Sequence, residues 1–296
     1  MDRKAFLVFL AVLVPAGAWC AGPIEQSSTF YTVSAPRISV TNLTGAVIIR
    51  GWDKPQVHAV YILASPRIEV DTEKIPPKGD AEKIHLATHL LDRTLQGPNA
   101  KVDYTLDIPI GSSLEIRNPQ GIIRIDRLGG DAWVESVGGN IVISDATGAI
   151  MARSFGGQIQ IIRPAGYVEA SSVTGNLEFM SPLSSRIHGT TTSGKILYEG
   201  NLVPAGEYVM SSYSGDIDVE CPRSSSFELN ARSVHGKLID GLKLSRKRRH
   251  QAVSVYGNAL FGMHNQGAAT LELTSFSGTI RIQPQAEPQT SSQPQQ

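Results

Sequence analysis

Tyr213 to Cys221 reads YSGDIDVEC, which places two aspartates, a glutamate and a thiol within one short stretch. Carboxylates two residues apart on an extended strand share a face, and a carboxylate pair in an open groove is what glycoside hydrolysis requires. His85 and His89, four apart in HLATHLL, align on either a helix or a strand. The zinc-protease helix needs Glu after the first histidine, and Leu86 stands there. The remaining histidines, 58, 188, 235, 250 and 264, have no ligand spacing. The chain also lacks a G-x-S-x-G elbow, a P-loop and a G-x-G-x-x-G turn. The expectation is therefore no catalytic residue, no metal and no cofactor.

Two features suit binding. Trp133 offers a flat ring on which a sugar could stack. KLSRKRRH, residues 243–250, concentrates Lys243, Arg246, Lys247, Arg248 and Arg249, with Arg223 upstream. Such a run is a solvated corner by default; its sharper use is contact with an anionic envelope polymer or lipid surface. Nucleic acid is not an expected partner, because 27 basic residues are balanced by 27 acidic ones.

What must position these residues is an internal repeat. ESVGGNIVI, RSFGGQIQI, SSVTGNLEF, TTTSGKILY, SYSGDIDV, RSVHGKLID, VSVYGNALF and TSFSGTIRI align on a glycine. Those glycines are Gly139, Gly157, Gly175, Gly194, Gly215, Gly236, Gly257 and Gly278, with Gly121 before them and Gly45 further upstream. Their spacing from Gly121 onward is 18 to 21 residues. Positions two and four after each glycine are mostly apolar, as in Ile141 and Ile143, and three before it stands Ser, Thr or Asn. Each unit reads as strand, Ser-x-x-Gly corner, strand and variable return, with period-two alternation burying one face.

Eighteen to 21 extended residues trace about 60–70 Å, one coil of a solenoid whose coils stack about 4.8 Å apart. The expected fold is thus all-β, a parallel β-helix-like solenoid of about nine to ten coils. The corner glycines are expected at positive φ, and the serines as an inward hydroxyl ladder. YSGDIDVEC becomes one repeat among many: Asp216, Asp218 and Glu220 point outward, with Lys195 and Lys237 in the coils on either side of Asp216. Arg117, Glu135 and Arg153 alternate in another outer column, and Trp133 and Met151 share one. The alternative for Trp133 is burial beneath a cap.

Residues 51–112 break the period and are expected to form an N-terminal antiparallel capping layer over one solenoid end, where backbone groups and apolar columns would otherwise be bare. The first 21 residues carry Arg3 and Lys4, the apolar run AFLVFLAVLV and a small-residue stretch, a secretory signal too short to span a bilayer. Trp19 before Cys20 disfavours lipoprotein processing. Loss of Cys20 with the signal would leave Cys221 without an internal disulfide partner. The solenoid is placed at residues 30–283 and a disordered tail at 284–296. The chain is therefore expected to be exported, to the periplasm or the cell surface, with no transmembrane segment after processing.

GAVIIRGWDKPQV, then VDYTLDIPIGSSLEIRNPQGIIRI, then the serial Ser-x-x-Gly strands, resemble the bacterial putative-adhesin family of β-strand-repeat proteins of unknown function. The resemblance spans residues 30–283 and implies a β-helix-like stack with no established catalytic residues. Three roles stay open: a cell-envelope binding or scaffold module that engages envelope polysaccharide or another anionic surface component, a carbohydrate-active β-helix enzyme, and self-assembly through solenoid ends.

Overall fold

The computed structural model describes residues 23–245 and 258–285. Its strands are β1 (Ile24–Thr41), β2 (Val47–Trp52), β3 (Gln56–Leu63), β4 (Ile68–Ile75), β5 (Ala81–Leu90) and β6 (Val102–Pro109). Next come β7 (Ser113–Arg117), β8 (Ile123–Leu128), β9 (Ala132–Ser136), β10 (Ile141–Ala146), β11 (Ile150–Ser154) and β12 (Ile159–Ile162). They continue as β13 (Val168–Ser172), β14 (Leu177–Met180), β15 (Arg186–Thr191), β16 (Ile196–Glu199), β17 (Glu207–Ser212) and β18 (Ile217–Cys221). The last are β19 (Phe227–Ser233), β20 (Leu238–Asp240), β21 (Asn258–His264), β22 (Ala269–Ser275) and β23 (Ile280–Pro284).

The strands make a two-sided parallel solenoid. From β7 to β18 each coil supplies an odd-numbered strand to one sheet and the following even-numbered strand to the other, joined at the Ser-x-x-Gly corner. We call these the odd and even sheets. The inward columns, among them Ile141, Ile159, Leu177, Ile196 and Ile217, are fully buried, and each such side chain contributes about 1.5–3 kcal/mol. Packing is matched in size across the core. Gly189 lies under the Phe179 ring, where an added Cβ would come 3.0 Å from the ring edge.

At both ends the coils leave chain order. β5 and β6 stack outside β1 and β2, after which β7 and β8 return to the inner side of β1 and β2. At the other end β19 and β20 form the outer coil, and β22 and β23 insert between them and β17 and β18. Space therefore orders the last corners 215, 278, 236. This corrects the expected column: Thr279, not Lys237, follows Asp216. Among the described residues ten strand pairs stack, a core of about 45 Å at the strand spacing.

Antiparallel strands flank the terminal strands β6, β5 and β19, while β20 pairs with β23 alone among the described residues. β3 and the first half of β1 cover β6, and β4 covers β5, while β6 and β5 themselves run parallel to their coil neighbours. The segment 51–112 is thus half cap and half coil. β21 runs antiparallel to β19, so the GNALF copy does not continue a parallel coil, and its Gly257 lies outside the described residues. Covering these edges removes rows of unpaired N–H and C=O groups that would otherwise template aggregation.

The corners explain the glycines differently from the expectation. Gly45 and Gly121 have φ of 120° and 106°, but Gly139, Gly157, Gly175, Gly194, Gly215, Gly236 and Gly278 lie outside the left-handed region. Their requirement is stacking: a Cβ on each would overlap the carbonyl of the corner glycine in the adjacent coil. The serine column behaves as a buried polar ladder should. Ser136, Ser154, Ser172, Thr191, Ser212, Ser233 and Ser275 each accept the N–H of their own corner glycine, at 2.8–3.1 Å. Asn42 and Asn118 reach further and donate to Val102 and Gly45 carbonyls in the next coil, both at 2.9 Å.

Candidate functional site

The outer face of the odd sheet carries a cleft of about 500 Å³ where β5, β1, β7, β9 and β11 lie side by side. Alternation puts two columns of side chains into it. One runs His85, Ser39, Glu115, Trp133, Met151; the other runs Lys83, Arg37, Ser113, Asp131, Ala149. Ile75 on β4, opposite Lys83, forms one wall. Trp133 is 43% exposed, so it is not covered by the N-terminal cap.

The charges of the cleft are unevenly engaged. Arg117 reaches Glu115 at 3.1 Å and Glu135 at 3.5 Å, and Glu135 accepts the Trp133 indole N–H at 3.2 Å. That chain orients the ring. Asp131 accepts the Ala149 N–H at 2.9 Å. Arg37 and Lys83 stand directly opposite each other on β1 and β5, and their side chains make no hydrogen bond or ion pair among the described residues. Glu73 on β4 faces His85 at the rim. Two cations opposed across strands destabilise the pair unless an anion sits between them.

The acidic stretch of the sequence is structural. Asp218 is 6% exposed and lies between Lys195 and Arg281, each at 2.6 Å. Asp216 accepts the Thr279 N–H at 2.7 Å, as Asn140 and Asn176 accept from Gln158 and Lys195 one coil on. Burial raises the Cys221 thiol to about 11. His85 and His89 are on strand β5; His89 meets Asp71 at 3.1 Å while His85 faces the cleft. No group of three or more His, Cys, Asp or Glu residues suited to a metal occurs among the described residues.

The basic candidates do not join Trp133. Arg223 follows β18, and Lys243, exposed and at φ 56°, follows β20. The β23 strand separates their coils, and Trp133 is six coils away along the axis from the β19–β20 coil, about 29 Å. Arg246, Lys247, Arg248 and Arg249 lie outside the described residues. In the other charged column, Arg117 pairs with Glu135, whereas Arg153 turns to Glu169 at 3.7 Å.

Three features escaped the sequence reading. Arg37, Lys83 and their neighbours in the cleft come together only because β5 lies outside β1, which no repeat announces. A second glycine column, Gly130, Gly148 and Gly166, stacks at the opposite corner, and its 18-residue spacing was there to be read. The residue after each corner serine forms an exposed apolar ridge that includes Val137, Phe155, Val173, Tyr213, Phe276 and Val234. Tyr213 and Phe276 stack within it at 4.8 Å and 5° between ring planes.

No protein-family model and no curated protein matches the chain. Solved structures do match. A putative adhesin from Bacteroides fragilis is 11% identical over 88% of this chain and 97% of that one, with a TM-score of 0.48. A putative adhesin from Parabacteroides distasonis is 10% identical over 88% and 98%, at 0.44. A putative cell adhesion protein from Clostridium sporogenes is 10% identical over 88% and 99%, at 0.29.

Proposed function

We propose that the chain is an exported, adhesin-like binding module of the cell envelope, non-enzymatic, which holds a polysaccharide on the outer face of the odd sheet. The observation that carries this reading is the cleft. An exposed, hydrogen-bond-oriented Trp133 shares the cleft with two cations that have no ion pair among the described residues, on strands that are paired on both sides, so the surface is preorganised and binding orders little of the protein. Aromatic stacking plus a few convergent polar groups is the usual make-up of a small-ligand site. Among the described residues no helix is long and apolar enough to cross a membrane.

A carbohydrate-active enzyme is the second reading, and it moves away from Asp216 and Asp218. Glu115 and Asp131 are diagonal neighbours in the cleft, their backbones about 8 Å apart by strand geometry, and they are the two carboxylates that line it. Both already accept from protein donors, Arg117 and the Ala149 N–H, an arrangement that supports holding over hydrolysis.

The test is retention of the chain, produced with its own leader, on immobilised envelope polysaccharides, with the eluted glycans sized. The reading expects intact glycan and loss of retention in Trp133→Ala. Shortened glycans that stay full length with Glu115→Gln would establish the enzymatic reading instead.

A further inference from the structure

We infer that the saccharide taken by this cleft is a carboxylated one, its ring against Trp133 and Met151 and its carboxylate bridging Arg37 and Lys83. This rests on the binding reading above and adds the chemical class of the ligand.

Three observations carry it. The acids of the cleft have protein partners: Glu115 has Arg117, and Asp131 has the Ala149 N–H. Glu73 sits at the rim opposite His85 rather than opposite a cation. Among the described residues the cations have none: Arg37 and Lys83 are directly opposed, flanked in register by Ser113 on β7 and Ile75 on β4, while Glu115 and Glu73 stand one diagonal step away. A planar guanidinium matches a carboxylate through two parallel N–H bonds, and an ammonium beside it adds a third donor. One carboxylate between them would turn a repulsive cross-strand pair into two charge-assisted bonds.

The reach also fits. Trp133 lies two strands across from Arg37 and two residues along, about 10 Å and about 7 Å at sheet spacings. The long side chains of Arg37 and Trp133 close much of that interval. A sugar ring with its exocyclic carboxyl fills the remainder, whereas a bare anion would leave Trp133 and Met151 unused.

Calorimetric titration of the full chain with a galacturonate tetrasaccharide and with its carboxyl-reduced counterpart tests the inference. The acidic tetrasaccharide should bind about tenfold more tightly, the worth of about one charge-assisted bond. Arg37→Gln and Lys83→Gln should each narrow the preference for the acidic tetrasaccharide over its carboxyl-reduced counterpart. Arg37→Lys, which keeps the charge and loses the fork, should retain part of the preference. Thermal unfolding of each variant separates a lost site from a lost fold. Equal affinity for both tetrasaccharides overturns the carboxylate assignment and leaves the binding reading standing. Binding of neither, with the chain still held on envelope polysaccharide, does the same; binding of neither with no retention overturns both.

Discussion

Arg281 and Asp218 stand 63 residues apart in the chain and 2.6 Å apart in space. Their contact exists because the final coil inserts beside β18, and it makes Asp218 the centre of a triad with Lys195. Truncating Asp218 leaves two cations facing each other on a half-covered surface. We expect Asp218→Ala to cost about 2–3 kcal/mol in urea unfolding. A double-mutant cycle should give about 1 kcal/mol of coupling between Asp218 and Arg281, and none between Asp218 and Lys237. Coupling to Lys237 would mean that the coils follow chain order.

The corner glycines make a second prediction, because neighbouring glycines differ. A Cβ at Gly157 would overlap the Gly139 carbonyl, which is backbone and cannot turn aside. A Cβ at Gly138 would meet only the Gln120 side-chain amide, at 3.3 Å. Gly157→Ala should cost about 3 kcal/mol, and Gly138→Ala should stay within about 0.5 kcal/mol. Similar costs at the two sites would sink the stacking explanation.

The period of this fold is legible in the sequence, and its ends are not. Corner glycines and alternating isoleucines recur because every coil meets the same two constraints, a crowded corner and a single buried face. The order of the last coils is hidden for the same reason: Gly278 and Gly236 carry identical repeat chemistry, so nothing local says which stacks on Gly215. Positive φ was the wrong cause for most corners, since glycine answers equally to a forbidden dihedral and to a carbonyl overhead. Trp133 could be placed outward by alternation alone. Its companions Arg37 and Lys83 could not, because their adjacency depends on β5 pairing with β1 across 46 residues (83 minus 37), most of them in the segment that breaks the period.

Alkaline pH should unfold the protein through its core. Burial raises the Cys221 thiol from 9.0 to about 11 and the Tyr104 hydroxyl from 10.0 to about 12. Both groups are folded-state acids weaker than their unfolded counterparts. Their stabilisation is therefore complete below pH 9 and is withdrawn as pH climbs through the folded values. Chemical denaturation should give a flat stability from pH 6 to 8 and a fall between pH 9 and 12, with Cys221→Ala delaying its onset. Native Cys221 should also resist iodoacetamide at pH 8 and react once denaturant is added. Rapid native labelling would show that the thiol is not buried.

The apolar ridge supplies a control for the cleft. Phe155 is 59% exposed and sits at a corner away from the outer face of the odd sheet. Phe155→Ser should change stability by less than about 0.5 kcal/mol and leave glycan retention intact. Loss of retention in that variant would move the binding surface to the ridge.

The most direct measurement uses the methionines. The chain holds five, of which Met151 lines the cleft, Met210 is in the core, Met180 ends a strand of the even sheet and Met263 lies on the C-terminal cap strand. Methyl NMR of the methionine-labelled protein, titrated with polysaccharide fragments, reads all these places at once. The account predicts that the Met151 methyl shifts with saturation while those of Met180, Met210 and Met263 stay in place, and that Trp133→Ala abolishes the shift. A stationary Met151 methyl with a moving Met263 methyl would contradict it and place the ligand at the opposite end of the solenoid.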